Sequence, residues 1–288
     1  MKHTAERNEI YNFNHYSVSE VLATAKGNSL LNGQVDGMVV EGFLSPQEVD
    51  SILNGFLNLT PQQLININKG FISYPISFAQ YTQGLMSNTV TPQYYHTHAS
   101  AFRAGFADMF GVNIEQKLIH FFEQAFKGKK VNIPHDKEGY GSFMPFNFRN
   151  LLPEYGELKV HCENLFFNEF PLFFELMSHL VIRKNDFSFF VVLQQPEAGG
   201  ELCLYDARWA EEAHNNFAMV GDTNNYVLKL QEQELKQQSI NPPVGSLVLF
   251  SGGDIWHKVD IVKGNKSRIT LGGFISSGLD DNNMFFWA

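Results

Sequence analysis

The chain has 288 residues, 44% hydrophobic and 18% charged, an ordinary globular balance that excludes bulk disorder and leaves room for a full core. Its net charge of −9, with one dense basic run at Lys127, Lys129 and Lys130, argues against nucleic acid or an anionic membrane surface as a main partner. Two cysteines, Cys162 and Cys203, make no disulfide framework; no run of about eighteen apolar residues occurs and the N-terminus lacks a signal-peptide core, so a soluble cytoplasmic protein is expected.

No repeat or Pro/Gly/Ser-rich linker divides the chain, so a single domain over 1–288 is expected. It has a mixed, largely helical part to about residue 135 and a strand-rich part from about 140. Gly37 to Phe43 reads as a short strand. Ser45-Pro46-Gln47-Glu48 then reads as a helix start, with Ser as cap, Pro at the first helical position and Glu three residues after the cap. Over Ile114 to Phe126, the residues Ile114, Leu118, Phe121, Phe122 and Ala125 recur at helical spacing and predict a helix packed on a sheet.

From about residue 142 the pattern changes to strands. Ser142–Phe148, Leu158–Glu163, Phe187–Leu193, Glu201–Tyr205, Ser246–Phe250, Ile255–Val259 and Arg268–Ile275 are short runs rich in β-branched and aromatic residues. Turn signals such as Pro196-Glu197-Ala198-Gly199-Gly200 and Ser251-Gly252-Gly253 bound them, and Pro171 to Val181 reads as a helix among them. The fold expected is α+β, mainly β: a double-stranded β-helix (a cupin-like jelly roll) with the helical N-terminal part packed on one sheet. The 27 Phe, bunched at 166–190 and again at 285–286, read first as strand core, with some lining an apolar pocket.

Val160-His161-Cys162-Glu163-Asn164 lies on one of these expected strands, where residues two apart share a face. His161 and Glu163 would then stand side by side, with Cys162 pointing away, and His257 lies on a second strand 96 residues on. Two imidazoles and one carboxylate on one face of a metal leave three positions open, which suits non-haem Fe(II) handling a chelating cosubstrate and O2. A lone strand His is more often hydrogen-bonded structure than a ligand. His96-x-His98 has ligand-like spacing too, but its polar, patternless surroundings read as surface. Context separates the two: Arg268 and Thr270 follow His257 across a Gly-containing turn, and a hairpin would return Arg268 to the metal. There its guanidinium would grip a carboxylate through two hydrogen bonds, as a dicarboxylic acid chelating iron at its other end requires.

His-x-acid, a distant His and an Arg-x-Ser/Thr about ten residues later make the chain resemble the Fe(II)/2-oxoglutarate-dependent oxygenase superfamily. More closely, it resembles the aliphatic halogenases of cyanobacterial hapalindole and welwitindolinone pathways. The likeness runs through Asp36-Gly37-Met38-Val39-Val40, Pro196-Glu197-Ala198-Gly199-Gly200-Glu201-Leu202, Gly264-Asn265, Leu271-Gly272-Gly273-Phe274 and Phe285-Phe286-Trp287. It implies the scaffold and the cofactors: Fe(II), 2-oxoglutarate as cosubstrate, and O2. Those halogenases carry Gly where this chain has Glu163, and chloride takes the vacated position. The carboxylate here therefore points to hydroxylation of an unactivated C–H bond, with release of succinate and CO2, and not to chlorination. The substrate expected is a small molecule of natural-product or amino-acid type.

Other candidates are weaker. Arg149 would meet the C1 carboxylate of 2-oxoglutarate or a substrate acid, with a buried ion pair as the plain alternative. Asn164 and Tyr205 would hydrogen-bond ligand oxygens. Tyr74, Tyr81 and Phe102 are candidates for the pocket wall, Trp256 for packing behind the metal strand, and His120 and His179 for structural roles. Two other readings stay open at this point: a 2-oxoglutarate-independent cupin-type metalloenzyme, which Arg268 and Thr270 argue against, and a non-catalytic metal- or 2-oxoglutarate-binding module.

Overall fold

The computed structural model describes residues 9–165, 171–182, 187–209, 217–219, 226–228 and 235–288, so Phe166, Phe167 and Phe170 of the aromatic run lie outside it. Helices cover Val18–Thr24, Gly27–Leu31, Pro46–Leu57, Phe78–Met86, Pro92–Phe110, Ile114–Ala125 and Pro171–Glu175. The Pro46–Leu57 helix starts as its sequence requires: Ser45 Oγ accepts from the Glu48 amide at 3.3 Å while the Glu48 carboxylate accepts from the Ser45 amide at 2.8 Å. The helix expected to follow Pro171 ends at Glu175 and gives way to turns. None of the described helices is long and apolar enough to cross a membrane.

A ten-stranded sheet forms the larger layer. Its strands run, in spatial order, Phe13–Ser17, Gly37–Glu41, Leu247–Phe250, Phe187–Gln194, Arg268–Ser277, Asn147–Leu151, Phe71–Tyr74 and Ile65–Asn68, and Asn283–Trp287 pairs with both Arg268–Ser277 and Lys130–Asn132. A four-stranded sheet, Gln237–Ile240, Leu202–Arg208, Ile255–Val259 and Leu158–His161, forms the smaller layer. Two packed sheets with helices on the outside of the larger one make the expected jelly roll. The first 135 residues carry six of the described helices and lend five strands to the large sheet.

Strand alternation sorts the large sheet into two cores. On one face Met38, Val40, Phe189, Val191, Leu247, Leu249, Ile269 and Leu271 pack with the helices; Phe122 meets Phe189 edge-on at 5.4 Å, and all five predicted inward residues of the Ile114–Ala125 helix are buried. The intervening residues Val39, Phe190, Val192, Val248 and Phe250 face the small sheet, where Leu202, Leu204, Ile240 and Ile255 meet them. Burying each such side chain contributes about 1.5–3 kcal/mol. The candidate site residues gather between the two sheets.

Three expectations from the sequence move. The strand placed at Ser142–Phe148 forms at Asn147–Leu151, because the amides ahead of it are taken elsewhere: Phe143 donates to the Pro134 carbonyl, Met144 to the Tyr95 hydroxyl, and Pro145 has no amide hydrogen. The strand Leu158–Glu163 stops at His161, and Glu163 begins a 3-10 turn, Glu163–Leu165. Arg268 does not return by a hairpin on the strand of His257. Ile255–Val259 belongs to the small sheet and Arg268–Ser277 to the large one, so the chain crosses between layers.

Candidate metal centre

His257 and His161 are direct partners in the ladder between Ile255–Val259 and Leu158–His161, and Leu204 is the partner of His257 on its other side. Because Leu204 belongs to the core between the sheets, both imidazoles enter that interior, their ring centroids 4.3 Å apart. The intervening residues Val160, Cys162 and Trp256 form a separate cluster on the opposite face of the small sheet. The phase expected from alternation therefore holds for His161, and Trp256 packs behind the metal strand.

Glu163 reaches the same point by another route. The turn Ser251–Asp254 catches the 3-10 segment: the Glu163 amide donates to the Gly252 carbonyl and the Asn164 amide to the Gly253 carbonyl, each at 3.2 Å. This turns the Glu163 side chain inward, 4% exposed, with Oε1 3.8 Å from His257 Nε2. One ligand atom from each of His161, Glu163 and His257 lies within 4.8 Å of the others.

Both imidazoles are oriented alike. Nδ1 of His161 lies 2.6 Å from the Lys159 carbonyl and Nδ1 of His257 lies 2.8 Å from the Ile255 carbonyl, so each Nδ1–H donates backward and Nε2 is left for a ligand bond. Phe250 sits edge-on to His257 at 5.0 Å and fixes its plane. Burial pushes both imidazoles down to about 4, with His257 acting further on His161 and Arg149 on both. Both rings are then neutral at pH 7, as ligands must be. Glu163 Oε2 is buried and has no hydrogen-bond partner. A buried carboxylate oxygen without a donor, beside two neutral imidazoles, fits a divalent cation.

Arg149 and Arg268 stand on the same face of the large sheet. Thr270 pairs with Arg149 and Arg268 with Leu151, and a β-bulge beside Ile269 and Thr270 shifts the register against Phe187–Gln194. Arg268, 7% exposed, lies over the Phe190 ring at 5.1 Å, and Arg149 over Phe274 at 5.8 Å. Burial lowers both guanidinium pKa values, that of Arg268 to about 10, with the two charges repelling and Glu201 partly compensating at Arg268; Glu163 opposes the shift at Arg149. Among the described residues neither forms an ion pair; Arg149 has only a 3.3 Å bond from Nε to Asn147 Oδ1. Two buried cations that form no ion pair among the described residues, beside a candidate metal site, suit a dicarboxylate.

Other expected residues separate. Asn164 is buried beside Glu163, and Thr270 is buried beside Arg149. Tyr205 does not join them. It follows Leu204 by one residue, so it faces outward with Val160, Cys162 and Trp256, beside Lys258. Tyr74, Tyr81 and Phe102 pack in the helical core on the far side of the large sheet, Tyr81 stacked on Tyr95 at 4.0 Å. His96 is not at the surface as expected. It lies in the Pro92–Phe110 helix, 2% exposed.

Ser188 and Gly252 escaped the sequence reading. Ser188 Oγ donates to Glu163 Oε1. The signal available was a single hydroxyl in the apolar strand Phe187–Gln194, on the side that faces the small sheet. Gly252 gave only a turn signal, since its closeness to Glu163 is a tertiary fact.

The family model described as carrier-protein-independent halogenase WelO5 matches residues 10–288. Two solved structures share the fold. One is a novel N-substituted L-amino acid dioxygenase from Burkholderia ambifaria AMMD, 14% identical, covering 92% of this chain and 91% of that one at a TM-score of 0.55. The other, described as the same type of dioxygenase from that organism in complex with alpha-KG, is 17% identical, covering 91% and 90% at a TM-score of 0.55. No curated protein is matched at the level of sequence.

Proposed function

The chain belongs to the family of the carrier-protein-independent halogenase WelO5, within the Fe(II)/2-oxoglutarate oxygenases, and from that premise we propose that it hydroxylates an unactivated C–H bond of a small molecule and is not a halogenase in its wild-type form. One observation carries this reading: the inward-turned Glu163, with Oε1 3.8 Å from His257 Nε2 and Oε2 buried without a hydrogen-bond partner. A carboxylate bound there occupies the position that a halide would need.

His161, Glu163 and His257 hold the iron. When bound, iron with 2-oxoglutarate and O2 supplies C–H oxidation coupled to decarboxylation, giving succinate and CO2. Arg268 grips the distal carboxylate of the cosubstrate with Thr270 nearby. Arg149, whose charge acts on all three triad members, balances the carboxylate at the metal end. Asn164 contributes beside Glu163. Val192, Phe190 and Phe250 keep the interior dry, which strengthens these charged contacts. Substrates of amino-acid or natural-product type are the ones to screen, acid-bearing and neutral alike, by succinate formation under Fe(II) and O2.

Halogenation is the second reading, and the family match favours it. Mass spectrometry of the product formed in chloride and in bromide separates the two. Hydroxylated product without halide supports the proposal; chlorinated product from the wild type would sink it and remove Glu163 from the ligand set. Glu163→Gly should lose hydroxylation, and any halogenated product from that variant would show the opened position taking halide.

A further inference from the structure

Glu163 presents its two oxygens to different environments. Oε1 accepts a hydrogen bond from Ser188 Oγ, whereas Oε2 is buried without a partner. Ser188 is 6% exposed and stands in the large sheet opposite Phe250 on one side and Phe274 on the other, so its hydroxyl has an apolar surround and one acceptor. Gly252 closes the seat. A Cβ there would lie 2.1 Å from Ser188 Oγ and 2.7 Å from Glu163 Oε2, so only glycine lets hydroxyl and carboxylate meet. The Gly252 carbonyl meanwhile accepts from the Glu163 amide, so one residue fixes both ends of the glutamate.

This arrangement bears on how many positions the glutamate takes on a metal. Glutamate has one more rotatable bond than aspartate, and a carboxylate with both oxygens unengaged readily binds a cation through both. An O–H···O⁻ bond is among the stronger hydrogen bonds, and one made to a single oxygen fixes the rotation of the carboxylate. We propose that Ser188, with Gly252 making the room, is a positioning residue that fixes the rotation of the Glu163 carboxylate, holds it as a ligand through one oxygen alone and so keeps three coordination positions open. This rests on the iron and 2-oxoglutarate reading above and deepens it. If Glu163 bound through both oxygens, the two imidazoles, the carboxylate and a chelating cosubstrate would fill an octahedron and leave O2 no place.

The test uses the full chain loaded with Fe(II) under argon and saturated with 2-oxoglutarate. Nitric oxide is added to occupy any free iron position, and electron paramagnetic resonance reads the signal per bound iron. Ser188→Ala should keep its iron and lose most of the signal per bound iron. Ser188→Thr, which retains the hydroxyl, should restore it. Gly252→Ala, which forces Ser188 and Glu163 apart from the other side, should lower the signal as well and keeps the test decisive if Ser188→Ala does not fold. A wild-type signal in Ser188→Ala, or equal loss in the Ala and Thr variants, overturns the seat while leaving the iron site standing. A wild-type chain that takes up neither Fe(II) nor 2-oxoglutarate overturns the reading of the site and the seat with it.

Discussion

His96-x-His98 and His161-x-Glu163 have the same spacing and opposite fates. In the Pro92–Phe110 helix, residues two apart diverge by about 200° around the axis. His96 therefore points into the aromatic core, with Phe143 at 5.0 Å and Tyr95 at 5.1 Å, while His98 lies outside with Nδ1 2.8 Å from the Tyr94 carbonyl. His161 ends a strand, Glu163 starts a 3-10 turn, and a cross-strand partner brings His257 opposite. Spacing acquires meaning only from the backbone that carries it. What makes a site is the convergence of three elements on one buried point.

The largest expected effect breaks this comparison at its centre. Replacing His161 or His257 with Ala should abolish Fe(II) binding and iron-dependent succinate formation, beyond the roughly 10–100-fold that losing a supporting partner costs. His98→Ala, of identical chemistry and spacing class, should leave metal content at the wild-type level. Metal analysis after anaerobic loading checks both, and wild-type iron content in both triad variants would remove the site.

A second pair compares two sides of the small sheet. Arg268→Ala takes a cation from the interior, where truncating one partner of a buried charged pair costs about 2–5 kcal/mol. The 2-oxoglutarate requirement should rise about 30-fold or more, since about 1.4 kcal/mol is tenfold. Tyr205→Phe changes a side chain on the outer face and should leave that requirement unchanged. Calorimetric titration of the cosubstrate under argon measures both; an unshifted Arg268→Ala, or a Tyr205→Phe shifted as far, contradicts the assignment of faces.

The sequence made legible what depends on local chemistry. The Ser45 cap, the inward stripe of Ile114–Ala125 and the strands Phe187–Gln194, Ile255–Val259 and Arg268–Ser277 follow from cap, period and alternation. Of the site, His161 and His257 are readable from spacing and residue type, whereas Arg268 rests on a hairpin that does not form, because its strand lies in the other sheet. Glu163 was found on a mistaken premise: the strand ends before it, and tertiary bonds from Gly252 and Gly253 turn it inward. Tyr205 was misplaced because the strand Leu202–Arg208 is covered on both faces, so its hydrophobic pattern carries no phase. His96 was misread because the polar side chains of its helix mask an inward stripe of Tyr95, Ala99, Phe102, Phe106 and Phe110.

The smallest expected effect concerns that buried histidine. His96 packs among Tyr81, Tyr95 and Phe143, with Nδ1 3.0 Å from the Ser142 carbonyl and Nε2 without a partner. Burial holds its pKa below the usual 6.5, although the Ser142 carbonyl and Asp136 favour the cation; His135 disfavours it. The unfolded chain therefore binds a proton at this position more readily than the folded chain. Stability is full above pH 6.5, falls as pH drops through 6.5, and levels off once the folded form protonates as well. One such group can contribute a slope of at most about 1.4 kcal/mol per pH unit. His161 and His257, pushed further down, add slope of the same sign in the metal-free chain, so the wild-type curve alone does not isolate His96. The difference from His96→Gln does, because the amide retains a donor for the Ser142 carbonyl and does not titrate. Urea unfolding of the metal-free proteins should show the two free energies converging as pH falls below 6.5, while curves that stay parallel would mean that His96 titrates folded as it does unfolded.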